Sequence, residues 1–124
     1  MAQTIRMFLL FEAATFVAAS LVHSGLLIAG FEHHHAHLHE SVIAIVLLAA
    51  LASTWIRPGS TRGAGLAAQA FALLVTMIGV FTIFIGVGPR TAPDIAYHVA
   101  IVAVLIWGLV VAKRAPTGDA RPHA

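Results

Sequence analysis

The chain has 124 residues, 60% of them hydrophobic and only 10% charged, with a mean hydropathy of +0.93. A soluble domain carries about 25% charged residues to wet its surface, so this composition excludes a soluble enzyme, and its apolar content excludes a disordered chain. The sequence has no cysteine, which excludes a disulfide scaffold, a thiol catalyst, an iron–sulfur cluster and any thiolate metal site.

Four apolar stretches follow one another along the chain, and each is long enough, or nearly so, for the roughly 17–25 residues of a spanning helix. The first covers residues 7–30 and is interrupted by Glu12 and His23. It is too long, and too interrupted, for the apolar region of a cleaved leader, so it reads as a span. The second covers 39–56, with its outer end supplied by Leu38 to Glu40. The third, 64–88, has no charge at all. The fourth, 95–112, contains His98. None alternates in the manner of a membrane β-strand. The expectation is an all-α integral membrane protein, an antiparallel four-transmembrane-helix bundle forming a single domain over 1–124, with a polar tail at 113–124.

The connections are short. Phe31 to Glu40 joins the first pair of helices, Arg57 to Gly63 with its Pro58-Gly59 turn signal the second, and Pro89 to Asp94 the third. Lysine and arginine are distributed unevenly between the two ends of such a bundle. Arg6, Arg57, Arg62, Lys113, Arg114 and Arg121 fall at one end and Arg90 alone at the other. Basic residues stay on the cytoplasmic side, which predicts an inner (plasma) membrane protein with both termini cytoplasmic and the histidine-rich connection on the periplasmic side. The pI near 10 therefore reflects topology, and no nucleic-acid partner is implied by a net charge of +2. The expected partners are the lipid bilayer and either further copies of this chain or a larger membrane complex.

The segment Glu32-His33-His34-His35-Ala36-His37-Leu38-His39-Glu40 places five imidazoles between two carboxylates. Imidazole suits zinc, copper(II) and iron, and carboxylate suits the harder ions of that set. In an extended chain alternate histidines share a face; in a helix His33 neighbours His37, and His35 neighbours His39. The expected site is a transition-metal centre (zinc, copper or iron) held by a subset of His23, Glu32, His33, His37, Asp94 and His98. Glu32 and His33 enter that set because they lie nearest the end of the first helix; His34, His35 and His39 are expected to have more freedom. A haem-b centre with His23 and His98 as axial ligands, or an accessory role in a membrane complex without a catalytic centre, are the alternative readings.

Ionisable residues inside spans are costly and point to function. Counting from the expected helix ends, His23 lies about 10 Å deep and His98 about 5 Å. A hydrogen bond to Ser20, Ser24 or a backbone carbonyl would be the structural explanation of His23. Thr91-Ala92-Pro93-Asp94 reads as a capping box that would explain Asp94 without a ligand role. Glu12 and Gln69 have similar depths on the first and third helices, which predicts a hydrogen bond between them.

Overall fold

The computed structural model describes residues 1–116. The chain forms α1 (Ala2–His23), α2 (His34–Ile56), a short 3₁₀ turn (Pro58–Ser60), α3 (Thr61–Phe84) and α4 (Ala92–Arg114). Helices of 22 to 24 residues are about 33–36 Å long, enough to cross a hydrocarbon core of about 30 Å. Consecutive helices run antiparallel and pack together, α1 closes against α4, and α1 also touches α3 across the centre. The protein is an all-helical, four-span membrane bundle.

The polarity of its interior explains this choice of solvent. The buried face of α1 runs through Ile5, Leu9, Glu12, Phe16, Ser20 and His23, a spacing of three or four residues throughout. Glu40 and Thr54 on α2, Gln69 and Thr76 on α3, and Asp94 on α4 are buried as well. Large apolar side chains such as Leu74, Phe81, Val99 and Trp107 point outward. A bundle that buries polar groups in its seam beside a small apolar core, and leaves many large apolar side chains outside, is matched to a bilayer.

The helix boundaries differ from those expected at the histidine end. The α1 helix stops at His23, although the apolar run continues to Phe31. Gly25 has φ +78° and donates its N–H to the Val22 carbonyl, so the chain leaves the helix through the left-handed region that glycine tolerates. Leu26, Leu27 and Ile28 are exposed in the connection that follows. The α2 helix begins at His34, so most of the histidine segment is helical. The α3 helix ends at Phe84 because Val87 and Gly86 donate back to the carbonyls of Thr82 and Ile83, with Gly86 at φ +87°; this is a Schellman ending. At the opposite end Met1, Pro58, Thr61 and Ala115 line one depression, so the N-terminus, the second connection and the end of α4 lie together. Arg121 and the rest of the tail beyond residue 116 lie outside the described residues.

Candidate functional site

At the histidine end, the side chain of His23 is enclosed between two carboxylates from different helices. Its Nδ1 lies 2.9 and 2.8 Å from the two carboxylate oxygens of Glu40 on α2. Its Nε2 lies 3.1 Å from Oδ1 of Asp94 on α4. All three residues are buried. A carboxylate oxygen can only accept, so with both acids ionised the ring donates from both nitrogens as imidazolium. Glu40 was not among the expected site residues, and His23 uses neither Ser20 nor Ser24. The signal was present as an isolated buried-type glutamate one helix away, but 17 residues of sequence separate the pair.

Asp94 has a second function. Its Oδ2 accepts from the Thr91 backbone N–H at 3.0 Å and from the Thr91 hydroxyl, while the Thr91 side chain accepts from the Asp94 N–H. The capping box is therefore present, and it orients the carboxylate whose other oxygen meets His23. Local sequence at the start of α4 and tertiary packing against α1 act on the same side chain.

His98 lies one turn further along α4. Its Nδ1 is 2.7 Å from the Asp94 carbonyl oxygen. A carbonyl cannot donate, so Nδ1 carries the hydrogen, and in the neutral ring Nε2 keeps its lone pair. That Nε2 faces Gly79 of α3, where an added Cβ would stand 3.6 Å away. The Tyr97 ring meets His98 edge-on and also meets Phe16 of α1.

The remaining histidines separate into two groups. His33 caps α2: its Nδ1 accepts from the Ala36 N–H at 3.3 Å, and its Nε2 donates to the Val87 carbonyl at 3.3 Å. His37 points to α1, with Nδ1 3.1 Å from the Ser20 carbonyl and 2.8 Å from the Ser20 hydroxyl. Both are thus engaged in holding α2 in place. His34, His35 and His39 are exposed and make no side-chain hydrogen bond among the described residues. Glu32 lies over Gly25 and accepts from the Gly30 N–H at 2.9 Å. Its own backbone N–H and that of Gly30 hold its carboxyl below the usual carboxylate range.

A cavity of about 300 Å³ opens between α2, α3 and α4 at this end. His33, His35, His39, His98 and Glu40 are among its walls, with Thr76 and Gly79 on the α3 side. His35 and His39 are four residues apart on the now helical segment, and so occupy one face of α2. Of the six expected ligands, the cavity joins His33 and His98. His23 and Asp94 are paired beneath it, while Glu32 and His37 lie on the α1 side. Among the described residues no three histidine or acidic side chains already converge on one point at metal-binding distance. For His23, Glu40 and Asp94 the reason is plain: the two acids sit on opposite edges of the ring. The same pairing leaves His23 no free nitrogen for a haem iron.

The half of the bundle away from the histidine segment holds a second polar contact. Gln69 Nε2 lies 3.1 Å from both carboxylate oxygens of Glu12, and both residues are completely buried. The expected Glu12–Gln69 bond is present. Comparison with protein-family models, characterised proteins and solved structures finds no match.

Proposed function

We propose that this protein binds a transition-metal ion in the cavity at its histidine end, through His35 and His39 of α2, His98 of α4 and the carboxylate of Glu40. One observation carries the reading: these four side chains, from two helices, border the same cavity. The protonation pattern supports it, since the His98 Nδ1 bond to a carbonyl leaves Nε2 as a lone-pair donor directed at that space. Two histidines at i, i+4 on a helix can hold one ion from one face, the arrangement used by the metal-binding His pair of zinc proteases. His35 and His39 are exposed and unbonded, so they can rotate to close the set, at the cost of side-chain freedom only.

In this reading the His23 bracket is the foundation of the site. It fixes Glu40 from below and joins α1, α2 and α4 beneath the ligands. Three imidazoles and a carboxylate suit zinc or copper(II); the chain offers no thiolate for copper(I). The distribution of basic residues supports a periplasmic position for the cavity and a cytoplasmic one for both termini. Metal capture or delivery at the outer surface is the activity such a site serves.

The test is a zinc titration of the purified protein by calorimetry. Wild type is expected to bind with a defined stoichiometry, and the triple variant His35→Ala/His39→Ala/His98→Ala to lose binding. A His34→Ala variant is the control and should titrate as wild type. Equal binding by wild type and the triple variant would refute the assignment.

A further inference from the structure

The Glu12–Gln69 contact does not belong to the histidine cavity, and its chemistry is incomplete as an ionised pair. Gln69 Nε2 reaches both oxygens of Glu12, yet Gln69 Oε1 is buried without a hydrogen-bond partner. A buried acceptor left without a donor forfeits its hydration with nothing in return. A carboxylate in a bilayer interior also needs a compensating cation. None of the ionisable groups on the packed helices supplies one. Arg6 of α1 is committed to the Thr54 hydroxyl at 3.0 Å and the Thr54 carbonyl at 2.7 Å. His23 is committed to Glu40 and Asp94. The α3 helix contributes the neutral amide, and its Arg62 lies seven residues, about 10 Å, from Gln69 and donates to the Lys113 carbonyl at 3.4 Å. The α4 helix contributes Gly108, whose backbone lies so close that an added Cβ would overlap Gln69 Nε2 and stand 2.7 Å from Glu12 Oε1. Elsewhere on α4, His98 donates to the Asp94 carbonyl at the histidine end, Lys113 and Arg114 are exposed at the last turn, and Tyr97 can offer no positive charge.

We infer that Glu12 binds a proton and pairs with Gln69 as a carboxylic acid, forming an intramembrane proton site separate from the histidine cavity. Adding one proton to the carboxylate gives an O–H that needs an acceptor, and Gln69 Oε1 is the neighbouring acceptor that needs a donor. The amide Nε2 then donates to the acid carbonyl. A rotation of the amide that carries Nε2 toward one carboxyl oxygen and Oε1 toward the other closes a ring of two hydrogen bonds, and no net charge stays in the bilayer. Gly108 makes the arrangement possible by letting α4 seal the pair from lipid. Loss of the proton would strand a carboxylate against a neutral amide, so proton exchange at Glu12 is tied to opening of the seam between α1, α3 and α4.

Infrared spectroscopy of the full chain in lipid vesicles at neutral pH, with chelator present, tests this independently of any metal. A protonated carboxyl gives a carbonyl band apart from those of amides and carboxylates, and the band moves in heavy water. Wild type should show it, Glu12→Gln should lose it, and Glu32→Gln and Glu40→Gln should keep it. Should Glu12→Gln not fold, wild type labelled with ¹³C in the glutamate carboxyls decides, because the band must then shift while surviving the Glu32 and Glu40 substitutions. A wild-type spectrum without the band, or a band unmoved by the label, would overturn the inference.

Discussion

His23 Nε2 and Asp94 Oδ1 lie 3.1 Å apart, joining the last residue of α1 to the capped first turn of α4. With Glu40 on the other edge of the ring, one imidazole ties three helices together through buried side chains. Such a contact is held by complementarity of charge, and removing its centre exposes the repulsion it was masking.

His23→Ala should therefore be strongly destabilising. It leaves Glu40 without its partner and Asp94 with its Thr91 cap alone, and breaking a buried pair costs roughly 3–5 kcal/mol. Thr91→Ala, which removes the cap but keeps the bracket, should cost about 1 kcal/mol. Unfolding of both variants in detergent, followed by circular dichroism, gives the comparison. Equal losses would mean that the bracket contributes no more than a helix cap.

The helices themselves were legible as apolar runs, and so were the two polar contacts governed by local rules or simple depth: the Thr91–Asp94 cap and the Glu12–Gln69 bond. The histidine end was less so, for two physical reasons. Gly25 ends α1 early in an apolar run, a choice of backbone conformation that hydropathy does not register. His33 becomes the cap of α2 through Nδ1 and bonds Val87 through Nε2, so His35 and His39, rather than His33 and His37, are left with unbonded nitrogens beside the cavity. Eight chemically identical side chains gave no means of ranking those two i, i+4 pairs before the helix start was known.

Gly25→Ala should disturb that same end. The left-handed φ of +78° costs a residue with a Cβ about 1–2 kcal/mol, and the added Cβ would stand 2.9 Å from Glu32 Cγ. Loss of thermal stability, with the Gly30 amide signal displaced in NMR spectra, is the expected result. Gly30→Ala, at a similar φ but with nothing within 4 Å, should show the backbone cost alone.

The Glu32 contact sets a pH dependence with a definite sign. Backbone donors favour the ionised form, so the folded carboxyl titrates below its unfolded counterpart. The contact is therefore fully present above the usual carboxylate range and is lost as pH falls through the lower, folded value. The Gly30 amide proton shift should follow that titration in NMR spectra, and should be flat with pH in Glu32→Gln.

Orientation can be checked by labelling. Single cysteines at Ser60 and Ala36 lie at opposite ends of the bundle. The Ser60→Cys protein should react in intact cells only with permeant reagents, and Ala36→Cys with impermeant ones. The reverse pattern would place the histidine cavity on the cytoplasmic side.

Metal binding at the cavity should weaken in acid, because ligating imidazole nitrogens must be unprotonated. The most direct measurement is the metal content of the protein at neutral pH after purification without an immobilised-metal column, which the histidine segment could itself strip. The account predicts about one transition-metal ion per chain in wild type, and a large loss in His35→Ala/His98→Ala with the helical content intact. Wild-type protein without stoichiometric metal, or a double variant that retains as much metal as wild type, would contradict it.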